Sequence, residues 1–289
     1  MSLLAEDSWN CQYELTYSLY NAAIEAEYVN SNYLNSKALI DIALEKTINV
    51  LEKSNIYQQE IHYHTSQGDF IAAINTGLLA LEILGNPLPR DLENLRQMSE
   101  QLRSDISNII INNTKIADLA NLPLMDNSIK AAIIKILVTL IPPIYFSSPE
   151  LLVTAILLIV DLSVHYGNIA YSAYGYCLYG LLLCGTFNDI DSGYEFGCLS
   201  LQVVEQFPNH PIKCQVHKVF ASHIQPWKEP LCQVMTNFQI AIQSGLETGN
   251  IEYLGYGSAE YCMYLFFSGE NLDIINQKFI PYVRTFRKI

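Results

Sequence analysis

The sequence is poor in the residues that end regular structure and in positive charge. It has only 14 glycines and 11 prolines in 289 residues, so long regular elements are expected between the places where they cluster. No Lys or Arg occurs between Lys135 and Lys213, and 16 basic against 29 acidic residues give a net charge of -13. Because contact with a phosphate backbone or an anionic lipid surface requires a basic face, nucleic acid and membrane surfaces are poor partners for this chain.

The chain also lacks the cysteine spacing of a disulfide-rich or metal-binding protein. Its seven cysteines are an odd number and include no CxxC pair, which is typical of small buried apolar residues in a reduced, cytoplasmic protein. Cys177 and Cys184 lie seven positions apart. On a helix this is about 10 Å, more than a disulfide tolerates. The N-terminus has neither the positive nor the apolar segment of a signal peptide.

Long uninterrupted apolar runs are missing as well. The most apolar stretch, from Ala131 to Val160, is broken by Lys135, by Pro142-Pro143 and by the polar segment 147–150. Its uninterrupted pieces have about 10 residues, whereas a bilayer span requires roughly 20. We therefore expect buried helices here, joined by a sharp aromatic corner after the two prolines, and no membrane insertion.

The periodicity that is present is helical. Leu78, Leu81 and Leu84 fall on one stripe of a helix, and the stretch from Leu95 to Ile116 repeats the same spacing. No alternating run of β-branched residues bounded by hairpin turns occurs in the sequence. The chain is therefore predicted to be all-α.

Internal repeats indicate how the helices are arranged. A polar residue precedes an apolar one at Asn32-Tyr33, at Asp69-Phe70 37 residues later, and again at Asp189-Ile190. Small residues follow each pair after three and ten positions, where paired helices approach closely. A longer repeat relates Gly167-Asn168 to Gly249-Asn250, 82 residues apart, about two helical hairpins of roughly 40 residues. These spacings predict a solenoid of antiparallel helical hairpins.

Two groups of residues resemble known families. Segment 66–81, which contains the turn glycine, an aromatic residue and spaced alanines, is similar to the second half of a tetratricopeptide repeat. Segments 119–126, 141–145, 162–168 and 179–185 together resemble the helical-repeat middle region of very large bacterial signalling kinases. This second resemblance extends over nearly the whole chain.

The resemblance to these kinases implies a function. In that family a Ser/Thr protein-kinase domain and an AAA or STAND-type ATPase precede the helical region, and GAF and histidine-kinase or other output domains follow it. The chain is then expected to be a non-catalytic interaction, sensing and regulatory module. Its partners would be another protein or neighbouring domains of the same polypeptide, and ATP and Mg²⁺ would bind only in those domains. A structural scaffold or homo-oligomerisation spacer is the alternative.

The same reasoning divides the chain into four parts. Residues 1–12 form an N-terminal segment whose Met1-Ser2-Leu3 is interpreted as a cloning remnant, and residues 13–85 form tetratricopeptide-like hairpins. Residues 86–125 contain a connecting helix, and residues 126–289 continue the solenoid with longer hairpins. The last five residues carry no helix stop signal, so a piece of a longer polypeptide is expected.

Motifs that would indicate a nucleotide site or a catalytic dyad are incomplete. Gly255-Tyr256-Gly257 lacks the third glycine and the preceding strand of a dinucleotide-binding loop, and no GxxxxGK[ST] motif occurs. Asp161 and His165 are four residues apart and are expected to form a polar pair near a helix end. We therefore predict no catalytic residue and no cofactor-binding residue in this chain.

The histidines do not predict a metal site. His62 and His64 would point to opposite sides of a helix, and His217 and His223, six residues apart, would not share a face. A metal ion needs several ligands that converge on one point, and neither pair provides them. We expect solvated or hydrogen-bonded histidines and no metal.

Tyrosine is the unusually abundant aromatic residue, with 19 Tyr against 11 Phe and 2 Trp. Tyr171, Tyr174 and Tyr179 would line one side of a helix, and a second tyrosine-rich helix contains Tyr256 and Tyr264. Aromatic rings with a polar tip suit a recognition surface, so these five residues are a candidate interaction face. The alternative is that the rings fill gaps between helices opposite glycines such as Gly175, Gly180, Gly255 and Gly257.

Overall fold

The computed structural model describes residues 4–5, 7–113 and 115–286. These residues form α-helices, two short 3-10 helices and connecting turns, without a β-strand. The prediction of an all-α fold is confirmed. The expectations for Met1-Ser2-Leu3 and for the last three residues of the chain lie outside the described residues.

The helices follow one another closely along the chain. In order, the α-helices are α1 (Ser8–Cys11), α2 (Tyr13–Val29), α3 (Tyr33–Lys46), α4 (Val50–Ser66), α5 (Phe70–Ile83), α6 (Leu92–Asn113), α7 (Ser128–Ser147), α8 (Pro149–Tyr166), α9 (Ala170–Gly185), α10 (Ile190–Val204), α11 (Ile212–His223), α12 (Leu231–Thr248), α13 (Ile251–Phe267) and α14 (Leu272–Phe286). The 3-10 helices are η1 (Ile116–Asn121) and η2 (Gln225–Trp227). Most connections are only a few residues long, which favours packing between consecutive helices.

The described residues divide into two compact units. The first unit contains the described residues up to Leu102 together with Asp126–Ala155. The second contains Arg103–Met125 and the described residues from Ile156 onward. One boundary between the units lies between Met125 and Asp126, and Asp126–Ala155 belongs to the first unit because α7 packs on α4 and α5. The division of the chain into four parts stays a prediction.

In the first unit, consecutive helices pack as pairs. α2 packs on α3, α4 packs on α5, and α2 also contacts α4. The repeated polar residue directly precedes the second helix of each pair, at Asn32 before α3 and at Asp69 before α5. The small residues that follow are buried where the helices meet: Ser36, Ala43, Ala73 and Ala80. The repeat thus corresponds to the turn and the contact face of a helix pair.

In the second unit, α9 packs on α10 and α11, α12 packs on α11 and α13, and α13 also contacts α11 and α14. The third copy of the repeat lies here, because Asp189 directly precedes α10 and accepts a hydrogen bond from the Ser192 backbone N–H at 3.1 Å. α9 and α10 approach so closely that a Cβ at Gly180 would lie 2.6 Å from the carbonyl oxygen of Gly193. Only glycine fits at that crossing.

α7 continues through Pro142 and Pro143 and through residues 144–146, where we expected an aromatic corner. That prediction was wrong, since the turn lies later, at Ser148, directly before α8. Each proline removes one backbone N–H and its hydrogen bond. Ile141 and Ile144, on either side of the prolines, are buried, and this packing maintains the helix.

Two helices of the described part of the chain, α7 and α8, are long and apolar enough to cross a membrane by length and composition. They have 20 and 18 residues and are therefore longer than the uninterrupted apolar runs of the sequence. In their apolar windows, 61% and 56% of the residues are buried inside the protein. Core helices of globular proteins satisfy the same test, so these two helices are weak evidence of a membrane span.

Candidate functional site

A groove of about 440 Å³ lies between α2 and α4 in the first unit. Four amide side chains line it, Asn21 from α2 and Asn55, Gln58 and Gln59 from α4. Glu25 is the carboxylate of the lining, and no Lys or Arg is among the described residues that form it. The groove therefore presents neutral hydrogen-bonding groups and one negative charge.

The spacing of residues in α4 produces the amide wall. Asn55, Gln58, Gln59 and His62 follow at positions i, i+3, i+4 and i+7, which lie on one face of a helix. Ile56, on another face, is fully buried. Burial of the apolar face in the core thus turns the amide face toward the groove.

Hydrogen bonds orient two of these amides, Gln58 and Gln59, but leave at least one of their acceptors unpaired. Gln59 Nε2 donates to Asn21 Oδ1 across the groove at 2.5 Å, and Gln58 Nε2 donates to Thr139 Oγ1 at 2.9 Å. Gln59 Oε1 is buried and has no hydrogen-bond partner among the described residues. A buried unpaired acceptor costs about 1–3 kcal/mol.

His62 lies in the lining of the groove. Its side chain is accessible to solvent, yet the surrounding walls desolvate the ring and lower the pKa of the imidazole. The neutral form is therefore favoured near pH 7. Glu25 remains the charged group of this surface.

A polar network connects α11, η2 and α12 in the second unit. His217 Nδ1 lies 2.8 Å from Asn237 Oδ1, and its Nε2 lies 3.4 Å from Glu205 Oε1. Asn237 Nδ2 donates to Gln225 Oε1 at 2.9 Å, and Gln225 Nε2 donates to Glu229 Oε2 at 2.8 Å. Gln225 donates to Glu229 and Asn237 donates to Gln225, so the amide oxygen of Asn237 faces His217 as an acceptor. Neutral His217 therefore carries its proton on Nδ1. Burial lowers the pKa of His217, which favours this neutral form.

The five tyrosines of the candidate interaction face do not form one exposed surface. Tyr174 and Tyr179 are each 3% exposed, and Tyr171 is partly buried. Tyr264 is also partly buried and donates its hydroxyl to a backbone carbonyl at 2.6 Å. Tyr256 is 46% exposed. The prediction of an interaction face was wrong for Tyr174 and Tyr179, because their rings pack in the core. A binding role for Tyr256 stays a prediction.

The alternative expected tyrosine rings opposite the glycines of α9, but other groups lie closest to Gly175 and Gly180. A Cβ at Gly175 would meet the side chain of Ile159. At Gly180 it would meet the backbone of Gly193 and of Gly197. These glycines therefore permit close helix packing, and the tyrosine rings pack elsewhere in the core.

The predicted pair of Asp161 and His165 is present near the end of α8. His165 Nδ1 lies 3.1 Å from Asp161 Oδ1. Among the residues that the structure describes, no group of three or more His, Cys, Asp or Glu side chains is arranged to hold a metal ion. The observed contact is a helical i, i+4 polar pair.

Four cysteines of the second unit are buried free thiols: Cys177, Cys184, Cys214 and Cys262. Cys177 and Cys184 are separate, as their spacing predicted. Burial raises the pKa of Cys177 and of Cys214 to about 12. Both remain neutral thiols near pH 7, and a neutral thiol is a poor nucleophile.

Neither the groove nor the network was identified from the sequence. The groove does have a sequence signal, because Asn55, Gln58, Gln59 and His62 place amides and an imidazole where a solvated helix face usually carries charges. The network joins residues of different elements, so no local spacing reveals it. Only the packing of α11 and α12 brings His217 and Asn237 together.

Comparison with known proteins relates the chain to a signalling protein. It is 22% identical over 269 residues to the protein named hybrid signal transduction histidine kinase G from Dictyostelium discoideum. The match covers 88% of this chain and 8% of that protein, so the chain spans a small part of this relative's length. No family model and no solved structure matches the chain. The similarity indicates a region of a signalling protein.

Proposed function

We propose that this chain is a non-catalytic protein-interaction and regulatory region of a multidomain signal-transduction protein kinase. The observation that carries this proposal is the similarity of 88% of the chain to one stretch of a hybrid signal transduction histidine kinase. The segments that resemble the middle region of large signalling kinases support it independently. That relative comes from Dictyostelium discoideum, and a bacterial origin and a cytoplasmic location stay predictions.

We also propose that the first unit is a tetratricopeptide-like solenoid of helix pairs. Its support is the 37-residue repeat, which places Asn32 and Asp69 at equivalent turns. The contact between α2 and α4, the first helices of successive pairs, is the contact that stacked pairs make. Such stacking leaves the first helices side by side, which accounts for the groove between them.

The state of the chemically reactive groups supports a non-catalytic role. Cys177 and Cys214 are neutral thiols in the core, and His217 is held in a hydrogen-bonded network. His165 is paired with Asp161. These side chains are engaged in packing and pairing, and we expect ATP and Mg²⁺ to bind in neighbouring domains of the kinase.

The proposed mechanism is differential binding. A partner protein or a neighbouring domain that binds the chain more strongly in one state of the kinase shifts the population toward that state. The shift equals the difference in binding free energy between the two states. The chain then acts on activity without contributing a group to the phosphoryl transfer.

The test is autophosphorylation of the longer kinase that contains this chain, with and without residues 13–286, at matched ATP. A changed rate in a deletion protein that still folds is expected. An unchanged rate would contradict the regulatory role. ATP hydrolysis by the purified chain alone would contradict the non-catalytic assignment.

A scaffold or homo-oligomerisation spacer is the second candidate function. It is favoured by exposed apolar side chains near the end of the second unit, where Phe266, Phe267 and Leu272 are 57%, 62% and 66% exposed. Light scattering over a range of concentrations separates the two functions. A concentration-independent dimer that Phe267→Asp converts to a monomer would favour the scaffold.

A further inference from the structure

The outward face of α2 is apolar, although the helix also contributes Ile24 to the core. Five exposed residues at positions i, i+4, i+7, i+11 and i+14 form one stripe of the helix, which we call the α2 stripe: Leu15, Leu19, Ala22, Ala26 and Val29. Leu15, Leu19 and Val29 are 54%, 41% and 72% exposed. Apolar residues with this spacing form the seam along which one helix packs on another.

Negative charge borders the α2 stripe. Glu14 and Glu25 are exposed on one flank of it, and α2 contains no Lys or Arg. Lys37 is the first basic residue of the sequence, and five acidic residues precede it: Glu6, Asp7, Glu14, Glu25 and Glu27. A surface that packs on this stripe should therefore be apolar and bordered by positive charge.

An apolar surface of this kind is exposed on α14. Ile275 and Tyr282 pack against the core of the second unit, whereas Leu272, Phe279 and Ile280 are 66%, 41% and 39% exposed. Leu272 and Phe279 are seven positions apart and therefore share a helix face, with Ile280 beside them. We call these three exposed residues the α14 surface.

The charge near the α14 surface is opposite to that of the α2 stripe. Asp273 is the acidic residue of α14. Residues 274–289 contain no further acidic residue and four basic ones, in a chain whose net charge is -13: Lys278, Arg284, Arg287 and Lys288. Lys278 lies over the ring of Tyr261, while Arg284 is exposed. Arg284 is therefore available to a carboxylate of another molecule.

We infer that copies of this chain associate head to tail, with the α2 stripe of one copy packed against the α14 surface of the next. Glu25 and Arg284 bring opposite charges to the borders of this contact. Because the two surfaces differ, the contact is heterologous and can be repeated from copy to copy. Pairing two α2 stripes would instead bring their negative borders together.

The net charge of the chain does not prevent this contact. Two copies that each carry a charge of -13 repel one another. Exposed charges separated by more than about 8 Å are largely screened at physiological ionic strength. The charges at the contact itself therefore decide which surfaces meet. This association goes beyond the proposed regulatory function and does not depend on it.

Two variants, each blocked at one surface, test the head-to-tail arrangement. Leu19→Asp places a charge in the α2 stripe, and Phe279→Asp places one in the α14 surface. Each variant alone should be monomeric. An equimolar mixture should form a one-to-one dimer, because each variant supplies the surface that the other lacks. Sedimentation equilibrium at up to about 100 μM, where micromolar contacts are populated, measures these masses.

The unmodified chain should grow beyond a dimer as its concentration rises, and exposed leucines elsewhere provide matched controls. Leu79 in α5 is 42% exposed and Leu246 in α12 is 50% exposed. Both lie outside the two surfaces, so Leu79→Asp and Leu246→Asp should associate like the unmodified chain.

Three results would overturn the inference. The first is an unmodified chain that stays monomeric up to about 100 μM. The second is self-association of either blocked variant, because it would show an isologous contact or a different surface. The third is a closed dimer whose mass does not change with concentration, which would favour the scaffold function. Dimer formation in the mixture would also show that both blocked variants are folded.

Exchanging the charges provides a test with milder substitutions. Glu25→Lys and Arg284→Glu should each weaken association about fivefold, within the range of an exposed ion pair. The double variant should return to within about twofold of the parent chain, because the exchanged charges again attract. Glu82→Lys, at an exposed position of α5, is the control and should leave the affinity unchanged. A double variant that loses as much as both single variants together would overturn the charge contact.

The two proposals can fail independently. If copies associate head to tail but deletion of residues 13–286 leaves autophosphorylation unchanged, the regulatory function is wrong and the association stands. If the chain stays monomeric and the deletion alters the rate, the association is wrong and the regulatory function stands.

Discussion

The two units use polar side chains in opposite ways. In the first unit the amides of α4 remain at the surface of a groove, and Gln59 Oε1 has no partner among the described residues. In the second unit His217, Asn237 and Gln225 bond to one another between packed helices. Polar residues therefore line an open surface in the first unit and join packed elements in the second.

Two close glycine contacts, one in each unit, differ in what an added Cβ would meet. A Cβ at Gly77 in the first unit would meet the side chain of Leu140. A Cβ at Gly180 in the second unit would meet backbone atoms of Gly193 and Gly197. A side chain can change its rotamer, whereas backbone can yield only if a helix shifts. The crossing of α9 and α10 at Gly180 should therefore tolerate less change than the contact at Gly77.

The largest expected effect concerns buried ion pairs. Lys218 Nζ lies 2.8 Å from Glu260 Oε1, and their side chains are 10% and 23% exposed. Glu260→Ala leaves a buried cation and should lower the free energy of unfolding by about 3 kcal/mol. Glu60→Ala in the first unit should cost about 1 kcal/mol, because Lys37 is 29% exposed and keeps Asp41 as a partner. Urea unfolding measures both free energies. Equal losses in the two variants would contradict the expected difference between the ion pairs of the two units.

Glycine substitutions test the difference in helix approach. Gly180→Ala should lower the free energy of unfolding by about 2 kcal/mol, because its Cβ would overlap backbone. Gly77→Ala should cost less than about 1 kcal/mol, since Leu140 can move. Gly257→Ala is the control, because its Cβ would have its nearest neighbour at 3.6 Å and alanine is the better helix former. A loss at Gly77 as large as at Gly180 would contradict this account.

The pH dependence of stability tests the buried network. Burial lowers the pKa of His217 and of His223 in the folded protein. An unfolded histidine takes up a proton near pH 6.5. Unfolding therefore binds protons below that pH, and stability should fall as the pH drops through about 6.5.

Replacing the buried histidine should flatten this profile. His217→Gln is expected to reduce the stability lost between about pH 7.5 and about pH 5.5 by about 1 kcal/mol. The measurement is the free energy of urea unfolding at each pH, compared as a difference so that any constant cost of the substitution cancels. An unchanged difference would exclude His217 as the responsible group.

The smallest expected losses of stability are those of the helix caps, and they should distinguish the three copies of the repeat. Asp69 accepts a hydrogen bond from the Ala72 N–H at 3.0 Å, and Asp189 caps α10 in the same way, but Asn32 makes no side-chain cap bond. Asp69→Ala and Asp189→Ala should each cost about 1 kcal/mol, and Asn32→Ala less than about 0.5 kcal/mol. Thermal unfolding can rank the three. A loss at Asn32 equal to the others would show that the cap is not what the repeat encodes.

Features with short-range causes could be predicted from the sequence. Asp69 and Asp189 start helices because their carboxylates bond the first turn, and Ala73 and Ala80 are buried because small residues seven positions apart share a contact face. The pair of Asp161 and His165 follows from helical spacing in the same way.

Features with long-range causes could not be predicted. The expectation of a corner after Pro142-Pro143 considered only the local sequence, and α7 is maintained by packing on α4 and α5. Tyr174 and Tyr179 are both buried, and which helices cover their rings depends on distant parts of the chain. The groove likewise required α2 and α4, from different repeats, to lie side by side.

The sequence by itself determined that the chain is helical, where its paired helices turn, and which small residues lie between them. Capping, periodicity and residue size act over a few positions along the chain, so they can be read there. Tertiary structure alone decided that α7 continues through two prolines, that Tyr174 and Tyr179 are buried, and that Gln59 has a buried, unpaired oxygen. These outcomes depend on which distant residues pack against one another, and no spacing along the chain specifies that.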